Sequence, residues 1–297
     1  MNLVFVIPTK DRPGELRKAL RSLAVQSYRP DGVIVVDSSN RPVKAVVSEF
    51  AGKLQLRYIH HEPPSASAQR NAGVRMLPPE ARLVGFIDDD ATLEPFALER
   101  MMAFLDSAAP DIGGCAFNLV NHPPLRASLF KRIRMAEVLG LYSARPGVVM
   151  PSSWQTMIGT LRENLFTDWL PSGAAVWRTE VFQTAHFDEF FSGYSYLEDL
   201  DFSFNVRRRW RLAVVAGAGY RHNPSPVRHL DGFNFGRREI QNRLYFVRKH
   251  GLSVARCRLA IAGRLGITLC EAVRHLDGVS FRRAAGNVAE LKAAIVS

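Results

Sequence analysis

Short, wholly apolar runs recur along the first ninety residues, each closed by polar or charged positions, and apolar residues at spacings of three and four fall between them. Leu3 to Ile7 is the first run, followed by Pro8, Thr9, Lys10, Asp11, Arg12 and Pro13, which predicts a buried strand and then a loop. Leu16, Ala19, Leu20 and Leu23 next predict a helix, with Pro13 suited to its first turn. Val33 to Val36 predicts a second strand ending at Asp37-Ser38-Ser39, Leu54 to His60 a weaker third, Ser67 to Arg75 a helix, and Leu83 to Asp88 a fourth strand. Such alternation predicts an α/β fold: a mostly parallel sheet flanked by helices on both faces. The fixed hand of a βαβ unit brings consecutive strand ends to one side of the sheet, so Asp37 faces the same crevice as Thr9 and Asp11.

The fourth strand stops abruptly at Asp88, Asp89 and Asp90. Ligands of open α/β sheets collect beyond the carboxyl ends of the strands, so hard oxygen donors stand where a nucleotide would lie. Three adjacent carboxylates repel one another, and a divalent cation is the simplest means of holding them together. The other reading is a solvated acidic turn that caps the next helix. Asp37 has the same two readings, as acceptor for a base or ribose or as a turn cap. Neither a Walker motif nor Gly-x-Gly-x-x-Gly follows the first strand, so glycine phosphate cradles are absent and a metal would take over their work.

Residues 121–166 hold Pro123-Pro124, a basic cluster of Arg126, Lys131, Arg132 and Arg134, and aromatic Tyr142, Trp154 and Phe166. They read either as a mobile insertion over the site or as a plain surface excursion. In Leu170 to Trp177, Gly173 either admits a ligand close to the backbone or marks a bulge. A helical stretch starts at Tyr196, carrying Glu198, Asp199 and Asp201 in its first turns, where the helix dipole favours them. Near the end of the chain, Leu259, Ala262, Leu265, Leu269, Val273 and Leu276 recur at helical spacing, with Arg256, Arg264 and Arg274 elsewhere on the wheel. This basic amphipathic helix either lies on an anionic membrane surface or packs its stripe on the catalytic domain.

Composition narrows the classes. At 297 residues and 47% hydrophobic content the chain buries a full core. Three scattered cysteines make no disulfide framework, so a reducing, cytoplasmic setting is expected. The start lacks a basic leader, and no apolar segment reaches the roughly 20 residues needed to span a bilayer. The expectation is a soluble protein, or one peripheral to the cytoplasmic membrane face. The net charge is +11, and Arg243 to Arg283 holds nine cationic side chains against two carboxylates. Such a patch suits anionic lipid, a phosphate-bearing substrate or nucleic acid. A noncatalytic nucleic-acid- or anion-binding module is therefore one rival reading. The acidic crevice repels a phosphate backbone, so no nucleic-acid partner is expected. A sugar nucleotidyltransferase is the other rival, and its basic, glycine-containing signature after the first strand is missing.

The segments VIPTKDRPGELRKALRSLAVQS, VIVVDSS, QRNAG and FIDDDATLEP resemble the amino-terminal half of family 2 glycosyltransferases with the GT-A fold. LPSGAAVWRTEVF and FDEFFSGYSYLEDLDFSFNVRRRW resemble the acceptor half, including its Glu-Asp-x-Asp segment. The resemblance covers about residues 3 to 250, and one departure is Ser38, where many relatives carry a second acidic residue. It implies that Pro8, Thr9, Asp11, Arg12 and Asp37 line the nucleotide pocket, with Arg70 and Asn71 nearby. Asp90 is implied as a metal ligand, with Asp88 and Asp89 divided between metal and ribose. His222 lies 23 residues after Asp199, close to where relatives supply a metal-binding histidine; a structural role is its alternative. Asp199 is implied as the general base, with Glu198 orienting it or binding the acceptor beside Gly173, and Asp201 capping or buttressing the helix. The implied reaction is Mn²⁺- or Mg²⁺-dependent, inverting transfer of a sugar from a nucleotide diphosphate sugar to a hydroxyl of a glycan or lipid-linked glycan, as in cell-envelope polysaccharide synthesis. The expected layout is a nucleotide-sugar half at 1–120, an acceptor half at 121–250 and a helical extension at 251–297.

Overall fold

The computed structural model describes residues 2–122, 137–138, 140–192, 195–223 and 231–296. They belong to two compact units, one of residues 1–125 and 157–225 and the other of 126–156 and 226–297.

The first unit is built on a mixed sheet that counts nine strands among the described residues. Strands β1 (Leu3–Thr9), β2 (Gly32–Asp37), β3 (Leu56–His60) and β4 (Leu83–Ile87) run parallel in the spatial order β3-β2-β1-β4. Thr9 lies beside Asp37, so the two strand ends fall on one side of the sheet, as the βαβ rule expects. The sheet then turns mixed. β8 (Ala174–Arg178) pairs antiparallel with β4, and β6 (Ile112–Leu119) antiparallel with β8. β9 (Arg211–His222) runs parallel to β6, while β5 (Ala91–Leu93) and β7 (Leu165–Thr167) are antiparallel to β9.

Continuous apolar runs form strands here because both faces are covered. Leu3, Phe5 and Ile7 pack with Leu16, Leu20 and Leu23 of α1 (Pro13–Ala24), Val46 and Val47 of α2 (Lys44–Ser48), and Met101 and Leu105 of α4 (Ala97–Ser107). Val4 and Val6 face the other way, toward Ala72 of α3 (Ala66–Arg75) and Phe202 of α5 (Glu198–Val206). Gly73 makes the α3 contact close: a Cβ there would stand 2.3 Å from Val6 Cγ1. Phe187 stacks on Phe202 with centroids 4.2 Å apart and meets Phe86 edge-on, fixing the segment before α5 over the end of β4.

The second unit holds α6 (Gly232–Lys249), α7 (Val254–His275) and α8 (Gly278–Val296). Helix α6, expected inside the catalytic domain, thus groups with the C-terminal helices. Gly236 and Gly286 let α6 and α8 meet backbone to backbone, and Arg283 forks onto Glu239 at 2.7 and 3.0 Å. Buried Arg243 donates to the Ser153 carbonyl and to Gln155, and lies over the Trp154 ring. Tyr142 and Trp154 are described, but Pro123-Pro124 and the cluster Arg126, Lys131, Arg132 and Arg134 lie outside the described residues. No helix among the described residues is long and apolar enough to cross a membrane.

Candidate functional site

Three strand ends and one helix start converge in the first unit. β1 delivers Pro8 and Thr9, the loop after it Asp11 and Arg12, and β4 the three aspartates. The strand stops at Ile87 rather than Asp88, because the chain turns there: Ala91 N–H bonds the Asp88 carbonyl, and Asp88 N–H bonds the Gly173 carbonyl.

Each aspartate pairs with a basic side chain, and two of them share Arg12. Thr9 donates its hydroxyl to Asp89 at 2.8 Å, and Arg12 Nη1 reaches Asp89 at 2.9 Å and Asp90 at 2.7 Å. The other oxygen of Asp90 lies 3.2 Å from His222 Nε2. Burial pushes the Asp89 carboxyl up to about 6 against the pull of Arg12. Burial also works to raise Asp90, but the hydrogen bond and charge of His222, with Arg12, outweigh it and hold the carboxyl below its usual range. The same hydrogen bond to Asp90 raises His222.

Asp88 is tied to the helix start. Arg70, fully enclosed on α3, donates to Asp88 at 2.7 Å and to Glu198 at 3.0 Å. The strand end and the Glu198-Asp199 pair therefore share one buried guanidinium. Asp199 accepts from Leu200 N–H at 2.7 Å. Burial raises both Glu198 and Asp199, and the charge of Asp199 raises Glu198 further. Leu197, just before them, has φ 78°, and Ser195 has φ 50°. A left-handed leucine costs about 1–2 kcal/mol, held here by its burial, and it turns the two carboxylates inward at the helix start.

Other expected residues take different stations. Asp37 is wholly closed to solvent and spends its carboxylate on its own loop, accepting from Ser39 N–H, Val43 N–H and the Tyr58 hydroxyl. Of the two readings of Asp37, these bonds are those of a turn cap: its oxygens tie the loop after β2 to Tyr58. Asp11 likewise accepts from Asn40 N–H, while its own N–H bonds Ser39 Oγ. Asn71 clamps the Phe187 backbone from both sides and also reaches Glu189. Gly173 adjoins the carboxylates: a Cβ would stand 3.4 Å from the Tyr220 hydroxyl and 3.7 Å from Asp88 Oδ2. Tyr220 was missed. It lies two residues before His222 on β9, hence on the same face, and this period of two was a legible signal.

The Asp37 network sets a pH dependence. Burial works to raise its carboxyl, and the hydrogen bonds from Ser39, Tyr58 and Val43 overcome it, leaving the folded value below the usual range. Its contribution is therefore complete above the unfolded value of about 3.9 and is lost as pH falls through the lower folded value. Asp37→Asn is expected to cost about 2 kcal/mol at pH 7, with the gap to wild type closing in acid. Urea unfolding at pH 7 and below pH 4 measures it, and a gap independent of pH would refute this account.

Among the described residues no group of three or more His, Cys, Asp and Glu side chains stands at metal-holding distances. Asp90 and His222 are both of metal-ligating type and adjoin, but as a hydrogen-bonded pair whose proton a cation would have to displace. Asp90 Oδ1 and His222 Nε2 are 3.2 Å apart.

Comparisons with known proteins agree with this architecture. The family model described as "Glycosyl transferase family 2" matches residues 4–165. The structure of residues 1–349 of S. aureus TarS superposes with TM-score 0.55 and 19% identity, over 88% of this chain and 69% of that one. The same protein in complex with UDP-GlcNAc gives 0.53 and 18%, over 88% and 70%. A mannosyltransferase from Pyrobaculum calidifontis, in complex with GDP-Man and Mn²⁺, gives 0.57 and 15%, over 99% and 86%. A comparison with curated protein sequences finds no match.

Proposed function

The chain belongs to glycosyl transferase family 2, and on that premise we propose that it moves a sugar from a nucleotide diphosphate donor to a hydroxyl of a glycan or lipid-linked glycan, with inversion and with a divalent cation. One observation carries the reading: carboxylates from the end of β4 and the start of α5 converge on Arg70. Donor chemistry and acceptor chemistry then share one crevice.

The nucleotide lies across the ends of β1 and β2, against Pro8, Thr9 and Asp11, with Asp88 or Asp89 on the ribose. Arg12 is the cation in reach of the diphosphate. Asp90 and His222, with Asp88 beside them, would hold Mn²⁺ or Mg²⁺. Bound there, the ion would neutralise charge on the departing diphosphate as a Lewis acid. Asp199 accepts the acceptor hydroxyl's proton as that oxygen bonds to the anomeric carbon, and the sugar–phosphate bond breaks with its electron pair going to the diphosphate. A raised Asp199 carboxyl suits this, since a base works best with an affinity for protons near the working pH. Glu198 orients the acceptor, and Gly173 leaves it room.

A thermal-shift screen of UDP- and GDP-sugars with Mn²⁺ or Mg²⁺ tests the reading. A true donor at a hundred times its Kd adds about 2.7 kcal/mol, several degrees in Tm, only with metal, and is then hydrolysed or transferred. A screen in which no nucleotide sugar shifts Tm while RNA or DNA does would return the choice to a nucleic-acid-binding module.

A further inference from the structure

The sequence suggested one apolar stripe on α7, and the structure divides it in two. Cys257, Ala260, Ile261 and Ala272 are buried, and Leu265 is half-buried with them. Leu259, Ala262, Leu269, Val273 and Leu276, spaced in threes, fours and sevens, form a separate exposed face. Val273 is 63% exposed and Leu276 87%, and the apolar exposure continues past the turn at Val279 and Phe281. A lone exposed leucine is ordinary, but a run of this length on one helix face marks an interaction surface.

Charge selects the occupant. Arg256, Arg258, Arg274, His275 and Arg282 are all exposed on the same stretch. Asp277 is turned to capping, accepting from Val279 N–H and the Ser280 hydroxyl. A second copy docking on this face would bring these cations against their own equivalents, since a two-fold contact repeats the same patch on both sides. A surface of fixed negative charge meets them favourably, and a fluid one accommodates side chains as protruding as Leu276.

We propose that the exposed face of α7, with the turn into α8, docks on an anionic lipid bilayer. Leu269, Val273 and Leu276 enter the boundary between headgroups and acyl chains, and Arg256, Arg258 and Arg274 meet lipid phosphates. The arginine stems lie along the apolar zone while their heads stay at the wet surface.

Sedimentation of the full chain with vesicles of phosphatidylglycerol and phosphatidylcholine, beside phosphatidylcholine alone, is the test. Wild type is expected to favour the anionic vesicles at least about tenfold and to lose that preference in about 0.5 M salt. The combined variant Leu269→Ser, Val273→Ser, Leu276→Ser, with circular dichroism and Tm unchanged, is expected to bind at least about tenfold more weakly. Arg256→Glu with Arg274→Glu leaves the apolar face and should abolish the preference for anionic lipid. Equal binding by wild type and the serine variant, or equal binding to both lipids, would overturn the proposal. So would a dimer in ultracentrifugation that the serine variant dissociates while neither protein binds vesicles, since the occupant would then be a second copy.

Discussion

Asp199→Asn is expected to leave donor and metal affinity nearly intact while lowering turnover at saturating substrates by at least about a hundredfold, the lower range for a general base. Its carboxylate accepts from Leu200 N–H, and an asparagine carbonyl can keep that bond. Shape and cap survive, and only the capacity to take a proton is lost. Binding and chemistry should therefore part company. If Asp199 served solely as a cap, turnover would barely change, because asparagine caps about as well. If it held the metal, donor affinity would fall with rate. Asp201→Asn, two residues on and almost wholly buried, is the control, with Tm recorded for both. A control that loses more activity at equal stability would move the base away from Asp199.

Asp90→Ala should remove metal-dependent donor binding, with affinity falling by about a hundredfold or more, while the apo protein unfolds at nearly the same temperature. Loss of even an outer partner of a metal ligand costs about 10- to 100-fold in affinity, and the expected loss of a ligand itself lies at or above the top of that range. The residue sits past the end of β4 rather than in the core, so little packing goes with it. Arg12 keeps Asp89 as its partner in the variant, which limits the cost of the vacated charge. Calorimetry with donor, with and without Mn²⁺, makes the measurement. Affinity unchanged in the presence of metal would reject Asp90 as a ligand.

What the sequence shows and what it hides follow from distance along the chain. β1, β2, β4 and α1 are local patterns, apolar runs or three-and-four spacing, and all were legible. The three aspartates at a strand end announced the crevice on the same ground. Asp37 was legible as either a base or ribose acceptor or a turn cap, but its partners Ser39, Val43 and Tyr58 were not, because those bonds depend on how the loop folds back. Arg70 read only as a residue near the nucleotide. Its link to Glu198 joins positions 128 residues apart, and no local pattern reports it. The grouping of α6 with the C-terminal helices was hidden for a related reason: it depends on Gly236 meeting the backbone of Arg283, and Gly286 that of Phe233, far apart along the chain.

The pairing of β4 with β8 has a consequence for synthesis. The parallel strands through β4 are complete once Ile87 has left the ribosome, but the partner for the open edge of β4 begins only at Ala174. At about 5–20 residues per second, that edge waits roughly 5–20 s for its partner. During that interval it offers an unpaired, wholly apolar Leu-Val-Gly-Phe-Ile strand, the kind of edge on which nascent chains join one another. Charge brackets that strand on both sides, Arg82 before it and Asp88 to Asp90 after it, the placement by which flanking charges keep an apolar strand from self-association.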